Sequence, residues 1–546
     1  MQILGVNAIF HDPSAALVVD GKIVAAAEEE RFSRRKHGKR PVPFSAWELP
    51  EQAARWCLAR GGITAADLDG VAYSFDPGLS QPADQLGLDD PWDHLRIEYA
   101  RTAPGFLGTA LPGLDPSRVS YVPHHVAHAA SAGLAGPYRD CDVLVLDGRG
   151  EASSHLAGRY DDGTLTPLAG QSLPHSLGLA YEELTEHLGF LRSCDEYKIM
   201  ALSSYGKPRF ADQLRDFLYT TGDGGFRTEP VDWASFAPAL SGGQDWTSDH
   251  ADLASSVQQR LEDMLLELAG WLQAQTGGKS LTLAGGVALN CVANTRILEE
   301  GPYDGVWVQP AAGDAGTALG GALHLAHGGG DLVEPMPGAN LGREWTEDEI
   351  AHYLTTAALL FERPADVADT VAECLAADGI IAWFQGRSEF GPRALGNRSL
   401  LAHPGRIGNL ERLNDVKGRE QFRPVAPMCR IERASEIFTR GPIPSPYMLF
   451  VHDVAASWRD RIPAVVHVDG TARVQTVDPA TDPLLARMLA CFERRTGLPV
   501  VVNTSLNTAG RPMVDDPREA LELFGSAPVD LLAIGPFVVR RAGLAR

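Results

Sequence analysis

Three histidines stand close together in the chain, and two of them, His124 and His128, are four apart. On a helix that spacing puts both rings on one face, where a pair of imidazoles can grip one divalent ion. Asp147 ends the apolar run 142–147 and offers a carboxylate as a third ligand. Asp314, in QPAAGDAGTALGG ahead of a small-residue helix, offers a fourth. The segment lacks the glutamate of the zinc-protease pattern H-E-x-x-H, because His125 occupies that place. The competing reading is a hydrogen-bonded, partly buried histidine pair, which suits His125 best.

Two glycine-rich turns follow apolar runs. Asp147-Gly148-Arg149-Gly150-Glu151 is one, and Gly285-Gly286-Val287-Ala288-Leu289-Asn290, after LTLA at 281–284, is the other. Glycine lets the backbone come close to a phosphate or an adenine ring, and its amide can donate to an anion. Neither turn fits the P-loop or dinucleotide fingerprints, and a tight structural turn explains either one alone. Taken with Asn7 and His11 they point to a nucleotide cleft. The run EEERFSRRKH at 28–37 reads as a salt-bridged turn or as a basic lobe over phosphates, with Lys36 in it.

A basic constellation marks the second half of the chain: Arg387, Arg393, Arg398, Lys417, Arg419, Arg423 and Arg473, with Asn503 and Ser505. Guanidinium forks bind phosphate bidentately. A small, planar, phosphorylated substrate would suit these residues, with Asn503 and Ser505 orienting its neutral end; about half of the arginines are expected to be ordinary salt-bridge partners. No G-x-S-x-G elbow is present, which removes a serine hydrolase.

These groups need elements to carry them. Strands are expected at 2–8, 14–20 and 22–28, with an Asp20-Gly21 turn that signals a hairpin. The same sequence of strand, polar loop, strand, Asp-Gly turn and strand recurs from 142, which predicts a duplicated α/β core. Helices are expected at 47–60, 178–188, 251–276 and 315–327, and an irregular insertion at 213–250. The Gly- and Pro-rich stretch 328–342 is the expected domain boundary. Beyond it the pattern predicts helices at 347–359, 364–377, 483–496 and 517–524, and strands at 379–384, 464–469, 499–503 and 531–539.

The 546 residues carry 48 basic and 70 acidic side chains, a net charge of −22. That balance excludes a broad basic face for nucleic acid or anionic lipid. Seven scattered cysteines, none in C-x-x-C, argue against a disulfide scaffold, a zinc ribbon and an iron–sulfur cluster. The opening residues lack the features of a signal peptide, and no uncharged apolar span is long enough for a membrane helix. A cytoplasmic protein is expected.

A series of ordered motifs carries a family resemblance: HDPSAALVVDG (11–21), EERFSRRKHG (29–38), HHVAHAASA (124–132), LDGRGE (146–151), EYKIMALSSYG (196–206), GGVALN (285–290), EFGPRALGNRSLLAHP (389–404), VKGREQFRPVAP (416–427), HVDGTARVQTV (467–477) and NTSLNTAG (503–510). Along nearly its whole length the chain resembles the O-carbamoyltransferases of antibiotic biosynthesis and nodulation-factor modification. The resemblance implies an α/β chain. Its first domain, 1–340, would be duplicated and actin/sugar-kinase-like, as in threonylcarbamoyl-adenylate transferases. A YrdC-like α/β domain, 341–546, would be fused to it. It implies that carbamoyl phosphate is opened in the second domain, that ATP activates the released carbamate as carbamoyl-adenylate, and that an acceptor hydroxyl attacks it in the first.

The same resemblance places a divalent metal, iron in the family's best-described case, on His124, His128, Asp147 and Asp314, with Mg2+ accompanying ATP. It assigns Gly148, Gly285, Gly286 and Asn290 to the nucleotide, and Lys36 to the phosphate or carbamoyl path. Arg393, Lys417, Arg423, Arg473, Asn503 and Ser505 match the carbamoyl phosphate pocket. It puts His11 on the acceptor side, where an ordinary pKa of about 6.5 would suit a general base. The sequence departs from the family pattern at Leu506, Ala509 and Arg511 and at 201–204, without loss of a proposed ligand. The alternatives are a tRNA threonylcarbamoyl-type transferase, a small-molecule kinase of the same fold, or a non-catalytic scaffold. The acceptor is expected to be a hydroxylated small molecule, met by loops in 65–110 and 207–250, and the protein a monomer or homodimer.

Overall fold

The computed structural model describes residues 1–38, 49–241, 244–508 and 510–541. Positions 47 and 48 of the expected helix 47–60, and Ala509 of NTSLNTAG, lie outside the described residues. The chain divides into two compact units, Met1–Gly338 and Ala339–Arg546.

The first unit is built on two sheets of the same topology. β1 (Gln2–Asn7), β2 (Ser14–Val19) and β3 (Lys22–Glu28) form an antiparallel meander. The turn between β2 and β3 has positive φ at both Asp20 and Gly21, as a tight hairpin needs. β4 (Gly70–Tyr73) runs parallel to β1, and β5 (Val119–Tyr121) parallel to β4. The second sheet repeats this. β6 (Cys141–Leu146), β7 (Ser153–Asp161) and β8 (Thr164–Ser172) form the meander, turned at Asp162 and Gly163. After a small hairpin of β9 (Leu218–Thr220) and β10 (Phe226–Thr228), β11 (Ser280–Ala284) and β12 (Gly305–Val308) add the parallel strands. The orders β3-β2-β1-β4-β5 and β8-β7-β6-β11-β12 are therefore equivalent, and they make the duplicated actin/sugar-kinase-like core.

Between the sheets lie two helices rich in small residues, His124–Gly133 and Ala315–Gly328. The second packs on β1, on β2 and on the first helix. Glycine makes this possible. A Cβ on Gly5 would fall 1.7 Å from the Ala318 carbonyl oxygen, and one on Gly320 would fall 1.8 Å from that of Ala127. The long helix Ser248–Thr276 begins three residues before the apolar stripe expected from 251. There His250 Nδ1 accepts the Thr247 amide at 2.9 Å in a capping box. Among the described residues, the part of the expected insertion before Ser248 is irregular apart from β9, β10 and short helical turns.

The second unit carries a mixed seven-stranded sheet. β13 (Ile381–Phe384), β14 (Arg398–Ala402), β15 (Ala426–Arg430), the short pair β16 (His452–Asp453) and β17 (Thr471–Ala472), β18 (Gln475–Val477), β19 (Val500–Ser505), β20 (Leu531–Ile534) and β21 (Phe537–Arg540) follow in chain order. The sheet order is β18-β15-β19-β14-β13-β20-β21. Two expectations need correction. No strand forms at 464–469. Pro463, which has no amide to donate, opens a 3-10 turn over Pro463–Val465, and His467 to Gly470 make a turn closed by the His467 amide on the Thr471 carbonyl. The strand expected at 531–539 is two, folded back at Gly535, whose φ is 53°.

Gly320→Val is expected to lower unfolding stability by about 3 kcal/mol or more, because neither backbone can retreat. Gly328→Ala, which meets nothing within 4 Å, should stay within about 0.5 kcal/mol of the parent. Differential scanning calorimetry of both variants checks the contrast.

Candidate active site

His124 and His128 project from the first turns of the helix His124–Gly133, and both are fully buried. Asp147 follows β6 directly, and Asp314 precedes the helix Ala315–Gly328. One ligand atom from each of these four residues lies within 4.8 Å of the others. His124 Nε2 is 3.4 Å from Asp147 Oδ2 and 3.6 Å from Asp314 Oδ1, and His128 Nε2 is 3.8 and 3.7 Å from the same oxygens. His124 Nε2, His128 Nε2 and Asp314 Oδ2 are buried and make no hydrogen bond. Buried polar atoms are rarely left so. Two imidazoles and two carboxylates converging with open ligand atoms fit a divalent cation.

The surroundings fix these groups. His124 Nδ1 lies 3.1 Å from the Ser74 carbonyl, so it carries the proton and leaves Nε2 as the ligand atom. The Glu151 carboxylate accepts the amides of His124 and Asp76, each at 2.8 Å. Asp147 Oδ1 accepts the Gly286 amide at 3.0 Å, which turns Oδ2 to the histidines. Despite the burial, the histidines hold the Asp147 and Asp314 carboxyls well below the usual carboxylate range. His125 is different. Its Nδ1 meets Ser153 Oγ at 2.8 Å, and burial with the neighbouring His124 pushes it down to about 3, so it stays neutral.

His11 sits in the loop after β1, with Nε2 3.8 Å from Asp314 Oδ2. Its ordinary pKa does not survive in this setting. Burial alone would lower it, but Asp314 and Asp12 together raise it to about 10. A cation on Asp147 and Asp314 would offset those charges and bring it back down. Lys36 is half-buried in the turn that carries His37, and Arg31 pairs with Glu28 and Glu30 in the preceding helical turn, so the 28–37 run is salt-bridged in part.

Of the expected nucleotide residues, Gly285 and Gly286 form the turn after β11. Gly285 has φ 89°, and a Cβ there would strike the Leu146 carbonyl oxygen at 2.1 Å. Gly148 lies in the facing turn, held by Ser176 Oγ, which donates to its carbonyl at 2.6 Å. Asn290 has another task. Its side-chain oxygen caps the helix Cys291–Glu300, and its carboxamide exchanges hydrogen bonds with Gln258.

A cluster that joins the acidic stretch 89–99 to Arg149 lies beside this site. Arg149 donates to Asp93 at 2.6 Å and to Asp90 at 3.2 Å, and Arg96 to the same two at 2.6 and 2.9 Å. Both guanidinium groups lie over the Phe10 ring, 5.0 and 5.5 Å from its centre, and that ring meets His124 edge-on. An open cavity of about 400 Å³, lined among others by Asp84, Asp90, His94 and Arg101, adjoins the cluster through Asp90. The signal was the acidic stretch at 89–99, but nothing in the sequence pairs it with Arg149.

In the second unit, sheet register gathers the basic constellation. β14 and β15 both run antiparallel to β19, and β18 runs parallel to β15. The segments before β14, β15 and β18 and the C-terminal end of β19 therefore share one end of the sheet, and these hold Arg393, Arg423, Arg473 and Ser505. Lys417, at the end of the helix Gly408–Lys417, reaches the same place, with Nζ 2.9 Å from Ser505 Oγ and bonded to Asn507. Asn503 Nδ2 donates to Ala394 O at 3.0 Å and Gln475 Oε1 at 2.7 Å, while its Oδ1 is buried without a hydrogen bond, as is Arg473 Nε. Burial, with the Arg473 charge beside it, pushes His467 down to about 4. Arg398 belongs elsewhere: it is buried, stacks 3.8 Å over Phe384 and donates to the Gln385 carbonyl at 2.7 Å.

His128→Ala and Asp314→Asn are each expected to lose most of about one equivalent of bound divalent metal. Asp369→Asn, in a cluster whose carboxylates are paired with Arg487 and Arg495, should keep it. Metal analysis of the dialysed proteins tests this.

Known proteins similar to this chain share both halves. A family model described as the carbamoyltransferase N-terminus matches residues 2–81 and 107–323, and one described as the carbamoyltransferase C-terminus matches 372–541. The N-terminal match passes over 82–106, the segment that carries Asp90, Asp93 and Arg96. Nodulation protein U of Bradyrhizobium diazoefficiens is 40% identical over 96% of this chain and 95% of its own. Nodulation protein NolNO of Sinorhizobium fredii is 36% identical over 98% of this chain and 80% of its own. An uncharacterized protein of Synechocystis sp. is 35% identical over 99% of this chain and 96% of its own.

Proposed function

Because the chain belongs to the carbamoyltransferase family, we propose that it carries a carbamoyl group from carbamoyl phosphate, through ATP-derived carbamoyl-adenylate, to a hydroxyl of a small natural product such as a sugar or polyketide. One observation carries this reading. Four converging ligand groups with unpartnered buried atoms lie between a histidine and a glycine turn suited to a nucleotide.

The residues divide the work as follows. In the second unit Arg393, Lys417, Arg423 and Arg473 hold the phosphate, and the open Oδ1 of Asn503 accepts from the carbamoyl amide. Water releases phosphate and carbamate there. In the first unit the carbamate oxygen attacks the α-phosphorus of ATP, pyrophosphate leaves, and the amides of Gly285 and Gly286 lie along the nucleotide. His124, His128, Asp147 and Asp314 would hold a divalent cation, which would supply Lewis acidity toward the phosphate charge; iron rests on family resemblance alone. His11 Nε2 takes the proton of the acceptor hydroxyl as its oxygen attacks the carbamoyl carbon and AMP departs. The segment 82–106 and its cavity receive the acceptor, and Arg149 with Phe10 links them to His11.

The test is the nucleotide product. AMP and pyrophosphate should form only when carbamoyl phosphate is present. ADP, or turnover indifferent to carbamoyl phosphate, would point to the kinase and overturn the reading. Tight, salt-dependent tRNA binding would favour the threonylcarbamoyl-type transferase, which the net charge of −22 opposes. Lys417→Met should weaken use of carbamoyl phosphate roughly 10–100-fold, as loss of a charge-assisted contact does, with the KM for ATP little changed.

A further inference from the structure

One residue outside the assigned set grips His11, and a second grips the first. His11 Nδ1 lies 3.0 Å from Asp12 Oδ2, and the other oxygen of that carboxylate lies 2.7 Å from His37 Nδ1. An ionised carboxylate only accepts hydrogen bonds, so both Nδ1 atoms carry protons. That leaves His11 Nε2 as the open nitrogen of the neutral ring, turned to the Asp314 side.

The backbone is built to hold this arrangement. Asp12 N donates to the His37 carbonyl at 3.2 Å, and His37 N donates to Glu30 Oε2 at 2.9 Å. Asn7 Nδ2 donates to the carbonyls of both His11 and Asp12, at 2.9 and 3.0 Å. Phe10, Asp12, Arg34 and His37 all take left-handed φ values, from 50 to 60°. None is glycine, so each costs on the order of 1 kcal/mol. Such strain persists where surrounding contacts over-determine it, and it gathers at functional sites.

We propose that Asp12 and His37 are positioning residues for carbamoyl transfer. Asp12 holds His11 in the Nδ1–H tautomer, with Nε2 ready for the acceptor proton, and His37 aims the Asp12 carboxylate. The inference rests on the role given to His11 above. Glu30 completes a possible cation site with Asp12 and His37, which is the rival reading.

Asp12→Asn is the informative variant, because asparagine tolerates a left-handed φ yet can donate and so stabilise the wrong tautomer. Three rates are compared in the metal-loaded full chain. The first is carbamoyl phosphate-dependent ATP–pyrophosphate exchange. The second is trapping by hydroxylamine, which attacks the adenylate without a base and gives hydroxyurea and AMP. The third is AMP release into water, the smallest hydroxyl nucleophile. Exchange and trapping should stay within about threefold of the parent, while release into water falls on the order of 100-fold. His37→Gln, which can still donate to Asp12, should retain more of that rate than His37→Leu. Unchanged release into water, or an equal fall in all three rates, overturns the inference. So does loss of a second equivalent of metal in His37→Leu. Absence of exchange in the parent would bring down the function reading itself, and this inference with it.

Discussion

The constraint on which the rest of the first unit depends is the contact between two helix backbones. Ala315–Gly328 lies so close to His124–Gly133 and to β1 that side chains are excluded at Gly320 and Gly5. Close packing of this kind leaves little freedom for the helices to slide, because each carbonyl sits in the space a methyl would fill. Asp314 opens one of these helices, and His124 and His128 open the other. Fixing one backbone against the other therefore fixes the separation of a carboxylate from two imidazoles.

Electrostatics then accounts for the cluster's character. Two buried carboxylates would be costly by themselves. Here each lies within 4 Å of two imidazole rings, and Gly286 and Ser74 occupy the remaining polar atoms of Asp147 and His124. The second unit solves the opposite problem. Its cations gather at one end of a sheet, where Ser505 and Asn507 hold the Lys417 ammonium through oxygen atoms without neutralising it.

Much of this was legible in the sequence, for definite reasons. The i, i+4 histidines, the apolar strand ahead of Asp147 and the paired Asp-Gly hairpins are local patterns, so the duplication and the residues that converge in the first unit could be read from them. What depends on tertiary contact could not. Nothing in the sequence joins Arg149 to Asp90 and Asp93, or Asp12 to His37, since each pairing spans tens of residues. The carboxamide of Asn290 matched a nucleotide turn, but its partner Gln258 lies on a distant helix. His11 looked like an ordinary histidine until Asp314, some three hundred residues away, came beside it. The false strand at 464–469 had apolar residues but also Pro463, whose missing amide favoured a turn.

The duplication has a mechanical side. Asp314 heads a helix packed on the first sheet, whereas Asp147 directly follows the first strand of the second. A cation gripped by both would rivet one sheet to the other. Ion occupancy and the gap between the two sheets would then be a single variable, and a nucleotide entering that gap would feel the rivet as stiffness of the cleft walls as well as charge.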